Sequence, residues 1–381
     1  MTEGKNKNIV VLCDGTWNGQ SSLTNIFKLS KEIVTTDDQK VEYDVGLGIG
    51  DRPIEFLLNG ALAVDLDEKI KKAYRFIVSN YQHGDDIWLF GFSRGAYTAR
   101  CVAGMMNTCG ILKENDDKLI DIAYQNYRNH PNGRNSIEFK DKFSYKLEAD
   151  ETPIKFLGLY DTVGAYGIPR YVMTKGIDYY ELFDQHVSHI VKYAFQASAI
   201  HDCFPFFEPC PIKDNGKTIC KQTWFPGVHI EVGGGTSFGL SGDQKIPTAS
   251  LLWMIENIFE VGGLKMRHEL EYYRTVYAPE YAHSWNVPSY IIDRGIHHFL
   301  YSIKYIRFIS FLFIQERKIP LVTEPGNKYS LKKDLLFNDG DWNGVFINRK
   351  QLRQQYISRT YENLRDAMKE EDIYLPNNIE F

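Results

Sequence analysis

Asp86–Arg100 reads DIWLFGFSRGAYTAR, and this stretch decides the fold. Ile87 to Phe90 is an apolar run of strand length, and Ser93 stands between Gly91 and Gly95. The residues that follow carry small side chains at Ala96, Ala99 and Ala103, which let a helix pack closely on a sheet. A strand, a tight turn and a helix in this order predict a nucleophile elbow, in which the serine occupies a strained corner. Glycines two before and two after remove side chains that would collide there. The same geometry places the amide of Arg94 beside any oxyanion that forms on a group attacked by Ser93. A second G-x-S-x-G match runs from Gly235 through Ser237 to Gly239, inside GGGTSFGLSG. No apolar strand leads into it and no helical pattern leads out, so Ser237 is set aside.

Working outward, strand and helix patterns alternate. Ile9 to Cys13 reads as a strand ending in DGTWNG, Leu23 to Val34 as a helix, and Val41 to Val45 as a second strand ending in GLGIG. Asp67 to Tyr81 follows as a helix before the elbow strand. Ile154 to Tyr160 is an apolar strand entering DTVGAYG; Tyr180 to Ala199 is expected as a helix, Thr223 to Val232 as the last core strand, and Thr248 to Phe259 as a helix. Such alternation predicts an α/β fold, a mostly parallel sheet with helices on both faces. The domain plan is a core over residues 1–263 with a polar surface insertion near 113–151. Residues 264–381 then form a C-terminal elaboration, ending in a helix from Arg349 to Lys369.

Serine needs a neutral imidazole to take its proton and a carboxylate to orient that imidazole. Asp161 follows an apolar strand and begins a glycine-containing turn, so it belongs at a strand's carboxyl end, where such sheets gather functional groups. Of ten histidines, His229 in WFPGVHIEVGGG is preferred over His201 in AIHDC, because a glycine-rich loop after the last strand can carry an imidazole over the elbow. The adjacent His297 and His298 are expected at the surface. A second oxyanion donor, beside the Arg94 amide, is expected from the backbone of Gly15 or Thr16 in the loop after the first strand. Asp14 is expected to cap that loop's amides, with orientation of substrate as the second reading. GLGIG lacks the full G-x-G-x-x-G pattern and is not read as a nucleotide site. The reading requires neither metal nor cofactor.

Composition sets the remaining bounds. The 381 residues suit one large α/β core, and 43% hydrophobic content can fill it. A net charge of −5, from 49 acidic and 44 basic residues, argues against a nucleic-acid partner. Six cysteines without C-x-x-C spacing are read as reduced. MTEGKNKN runs straight into a strand without a basic-apolar-small leader, so the expectation is synthesis in the cytoplasm, with delivery to another compartment left open. Phe299 to Ile314 is shorter than the ~20 residues a spanning helix needs and is broken by Lys304 and Arg307. Its three- and four-residue apolar steps suit an amphipathic lid or core helix, with peripheral membrane contact as the second reading. Phe308 and Phe311, with Lys304 and Arg307 for lipid phosphates, are the candidate substrate-binding residues.

Four motifs in order, DGTWN, GDDIWLFGFSRGAYTAR, GLYDTVGAYG and WFPGVHIEVGGG followed by LLWMIENI, resemble one α/β-hydrolase family. It includes the catalytic domains of type VI secretion phospholipase effectors. The resemblance covers roughly Asn8 to Phe259. It implies Ser93, Asp161 and His229 as the catalytic residues, and carboxylic ester hydrolysis, most of all of acyl esters of phospholipids. Tyr160 stands where the family commonly has Trp, and Glu231 where it commonly has Asp. The alternatives are a soluble esterase of short acyl or polyester substrates, or a catalytically silent hydrolase fold used as an interaction module.

Overall fold

The structure, a computed structural model, describes residues 6–15, 23–46, 62–129, 133–163, 187–199, 209–225, 229–235, 245–283 and 329–331. Its frame is a seven-stranded sheet of order β2-β1-β3-β4-β5-β6-β7 with every neighbouring pair parallel. The strands are β1 (Asn8–Cys13), β2 (Gln39–Asp44), β3 (Asp86–Phe92), β4 (Ile154–Tyr160), β5 (Val191–Ala199), β6 (Ile219–Phe225) and β7 (Tyr329–Leu331). Among the described residues the helices are α1 (Asn25–Glu32), α2 (Leu62–Asn80), α3 (Arg94–Cys109), α4 (Asp117–Asn129), α5 (Arg134–Phe143), α6 (His229–Gly233), α7 (Lys245–Val261) and α8 (Leu270–His283).

The central strands are apolar along their whole length because both faces are covered. Ile9, Val11, Ile87, Leu89, Leu157 and Leu159 pack with α2, α3 and α4 on one side. Val10, Leu12, Trp88, Phe90, Phe92 and Phe156 pack with α1, α7 and Tyr273 of α8 on the other. On that second face Trp88 stacks on Phe156 at 5.4 Å, and Phe195 meets Phe156 edge-on at 5.2 Å. After β2 the chain returns to lay β3 on the opposite side of β1. The order therefore reverses at β1, and the crevice beyond the carboxyl ends of β1 and β3 is the place where open α/β sheets bind ligands.

Three sequence expectations change. Val191–Ala199, expected as the end of a helix, is β5, hydrogen-bonded between β4 and β6. The last core strand before the glycine run ends at Phe225, and His229 opens the short helix α6 instead of ending a strand. The polar segment 113–151 is no mere surface insertion, for α4 buries Ile120, Ala123, Tyr124 and Tyr127, and α5 buries Phe139, all in the core. Beyond residue 263, α8 docks through the buried Tyr273, whose hydroxyl donates to Glu32 Oε2 at 2.9 Å. Still further along, β7 pairs with β6. The expected amphipathic stretch Phe299–Ile314 and the helix Arg349–Lys369 lie outside the described residues. Among the described residues no helix is long and apolar enough to cross a membrane.

Candidate active site

Ser93 follows directly on β3 with φ 58° and ψ −124°, a conformation L-residues rarely adopt. Its flanking glycines are needed for close approach, since neither has a positive φ. A Cβ on Gly91 would lie 2.5 Å from Ala96 Cα and from the Gly95 carbonyl oxygen, and one on Gly95 would lie 2.6 Å from the Asp14 carbonyl oxygen. The elbow is therefore wedged against the end of β1. Ser93 N–H donates to the Tyr160 carbonyl at 3.0 Å, tying the corner to β4. Ser93 occupies the N-cap of α3, where a serine hydroxyl ordinarily accepts a bond from a first-turn amide. Here it makes no such cap bond. Its Oγ lies 2.7 Å from His229 Nε2 instead.

Asp161 stands one strand over, at the end of β4, also with positive φ (37°) and fully buried. Its amide donates to the Ala197 carbonyl at 2.6 Å, and its Oδ1 accepts the Ala199 amide at 2.8 Å, so β5 fixes the carboxylate from two directions. Oδ2 is left for His229 Nδ1, at 2.6 Å. With the ring hydrogen on Nδ1, directed at Asp161, Nε2 is an acceptor facing the Ser93 hydroxyl.

His229 begins α6 and is 4% exposed, its ring 4.8 Å from that of Phe92. A Cβ at Gly233 would collide with the edge of the Phe92 ring, so glycine there lets α6 lie down on the end of β3. Long-range bonds hold the far end of α6. Asn25 Nδ2 donates to the Val232 carbonyl at 3.0 Å, Ser250 Oγ to the same carbonyl at 2.6 Å, and Thr24 forms an antiparallel bridge with Gly234. Asn25, Ser250 and Thr24 were not singled out in the sequence; nothing in their local pattern marks them.

Asp14 directly follows β1 and is 3% exposed. Its Oδ2 accepts the hydroxyls of Thr24 (2.6 Å) and Tyr43 (2.7 Å), and its Oδ1 accepts the Gly15 amide (2.7 Å). Burial pushes its carboxyl above the usual 3.8, against the pull of these bonds and of the Lys69 charge. The Gly15 amide, a candidate oxyanion donor, is thus directed at Asp14 in this geometry. Arg94, the other named donor, opens α3, so its amide lies at the helix N-terminus next to Ser93.

Thr16, Ser237, His201 and the C-terminal residues Lys304, Arg307, Phe308 and Phe311 lie outside the described residues. Five cysteines, Cys13, Cys101, Cys109, Cys210 and Cys220, are free thiols. Burial pushes Cys13, Cys109 and Cys220 up to about 12 and Cys101 to about 11. Among the described residues no group of three or more His, Cys, Asp or Glu is placed to hold a metal.

Over an alignment of 191 residues the chain is 33% identical to uncharacterized protein YEL023C of Saccharomyces cerevisiae, covering 43% of this chain and 28% of that protein. Among solved structures, the Tle1 effector bound to the VgrG spike from the Type 6 secretion system is similar at 20% identity and TM-score 0.35, covering 61% of this chain and 52% of that one. An uncharacterized protein from Pseudomonas aeruginosa is similar at 18% identity and TM-score 0.41, covering 71% and 48%. The chain thus spans 28% of the yeast relative and about half of each of the two structures. Residues 7–257 match the family described as "T6SS, Phospholipase effector Tle1-like, catalytic domain", and since that is well over half of the sequence, the chain belongs to this family.

Proposed function

We propose that the protein is a serine hydrolase of carboxylic esters, acting on acyl esters of phospholipids through an acyl-enzyme on Ser93. The observation that carries this reading is the unbroken relay of Ser93 Oγ, His229 and Asp161, at 2.7 and 2.6 Å, with Ser93 in a strained corner. Membership of a phospholipase effector family supports a lipid substrate.

In the first step His229 Nε2 takes the Ser93 hydroxyl proton as Oγ attacks the ester carbonyl. Asp161 holds the imidazole in the tautomer that can accept, and stabilises the imidazolium that forms. The developing oxyanion is met by the Arg94 amide at the start of α3, where the helix dipole also favours negative charge. The second donor is assigned to the Thr16 amide in preference to that of Gly15, because the latter points at Asp14. The tetrahedral intermediate collapses as His229 protonates the leaving alkoxide, releasing the alcohol. Water, deprotonated by His229, then attacks the acyl-enzyme and frees the fatty acid, restoring Ser93. Lys304, Arg307, Phe308 and Phe311 are retained as the proposed headgroup and acyl-chain contacts, since each buried methylene contributes roughly 0.8 kcal/mol to long-chain binding.

The test is mass-spectrometric analysis of lipid products from phospholipid vesicles, with labelling by a fluorophosphonate probe. Wild type should release fatty acid and be labelled at Ser93. Ser93→Ala should do neither while unfolding at the wild-type temperature, because alanine accepts the corner as serine does. Iodoacetamide should spare Cys13, Cys101, Cys109 and Cys220, whose buried thiols are held protonated. A folded Ser93→Ala protein with wild-type hydrolysis would refute the assignment. A wild type that is folded, unlabelled and inactive would favour the interaction-module reading, and cleavage confined to short soluble esters would favour the short-chain esterase.

A further inference from the structure

Three donors from three parts of the chain converge on the Asp14 carboxylate. Thr24 precedes α1, Tyr43 lies in β2, and Gly15 is the next residue along from Asp14 itself. Only a carboxylate accepts on both oxygens at once; an asparagine would turn its NH2 toward at least one of these donors, the Gly15 amide or the two hydroxyls. A buried charge held by neutral donors is a costly way to fasten a turn that apolar packing could fasten. Its position explains the choice.

The peptide of Asp14 is the surface against which Gly95 of the elbow is pressed. Thr24, which donates to Asp14, also caps α1 by accepting the Phe27 amide at 3.0 Å and bridges to Gly234 at the end of the His229 helix. The next residue, Asn25, donates to Val232 in that helix. One carboxylate thus joins the backbone behind the nucleophile to the segment that carries the base.

Building on the esterase reading, we infer that Asp14 is a positioning residue of this site. It holds the end of β1 against the elbow and, through Thr24, sets His229 over Ser93. It touches no reacting atom, so its removal should slow turnover without weakening substrate capture.

The experiment compares wild type, Asp14→Asn, Asp14→Ala and Tyr43→Phe on p-nitrophenyl butyrate, with unfolding followed by circular dichroism and Ser93→Ala as the blank. The expected result for folded Asp14→Asn is a fall in kcat of about 10- to 100-fold at nearly unchanged KM, since small misplacements of catalytic groups carry costs of that order. Asp14→Ala should fall further. Tyr43→Phe, which keeps the ring packed on Phe27 (5.9 Å) and removes a single donor, should lose less than Asp14→Asn, again in kcat. A folded Asp14→Asn protein with wild-type kcat overturns the inference, as does a rise in KM at constant kcat, which would make Asp14 a substrate-binding group. If Asp14→Asn and Asp14→Ala fail to fold, Tyr43→Phe decides: reduced kcat at constant KM supports the inference and wild-type kcat overturns it. If the Ser93→Ala blank is as active as wild type, it is the esterase reading that fails, and this inference falls with it.

Discussion

The elbow and the histidine segment reach the same few ångströms by different means. Ser93 and Asp161 are set by the main chain, each at the carboxyl end of a parallel strand, each with positive φ, each tied by its own amide to the next strand. His229 sits on a helix of five residues whose far end is fastened by side chains 207 and 18 residues away in sequence from Val232, Asn25 and Ser250. A strained strand end is rigid because the whole sheet stands behind it. A short helix lying on Phe92 has no such backing and depends on individual bonds. Damage should therefore be abrupt on the nucleophile side and graded on the base side.

The sharpest break is Gly95→Ala. Its new Cβ would meet backbone atoms of Cys13 and Asp14, and backbone at the end of a buried strand cannot step aside. We expect a loss of about 3 kcal/mol in stability, at the top of the range for overpacked cores, and no measurable hydrolysis. Urea unfolding and ester turnover read both effects. Gly95→Ala retaining wild-type stability would show that the elbow yields, and the contrast between the two regions would be lost.

This division also explains what could be read from the sequence. The β3 corner and Asp161 were legible because main-chain constraint writes itself locally, as glycines at fixed offsets and an apolar run that stops at a polar residue. Residues 191–199 misled because Val191, Ala194, Phe195 and Ala199 step by three and four as on a helix, although β5 buries both faces. Its Gln196, polar in mid-strand, is satisfied only by tertiary partners, with Thr162 donating to it at 2.5 Å and Cys210 accepting from it at 3.3 Å. In α4 the helical period is present in the sequence but diluted by charge. Ile120, Ala123, Tyr124 and Tyr127 form a regular apolar stripe within a polar average. The anchors of His229 left no local trace, for a hydrogen bond spanning two hundred residues has no sequence period.

A graded effect is expected from Ser250→Ala. The variant removes a fully buried hydroxyl that donates to the Val232 carbonyl and accepts from Asn25 Nδ2 at 3.0 Å. Asn25 still bonds the same carbonyl, so α6 should loosen without leaving. The expected cost is about 1–2 kcal/mol in stability, and a fall in kcat of roughly tenfold from a displaced imidazole, with KM nearly constant. A folded Ser250→Ala protein with undiminished kcat would show that the glycines of VGGG place His229 unaided.

The smallest effect sharpens the comparison from the nucleophile side. Tyr160 immediately precedes Asp161, and its carbonyl receives the Ser93 amide, so its main chain lies at the heart of the site. Its side chain is fully buried on the α1/α7 face, and its hydroxyl has no hydrogen-bond partner among the described residues. Burial raises that phenol well above its usual 10, so it stays neutral and merely unsatisfied. If main chain alone matters at this strand end, Tyr160→Phe removes a desolvation cost and nothing else. Thermal unfolding should show the variant between unchanged and about 1 kcal/mol more stable, with kcat and KM as in wild type. A clear fall in kcat in the stable variant would instead mean that the phenol takes part in setting Asp161, and that side chains govern both halves of the site.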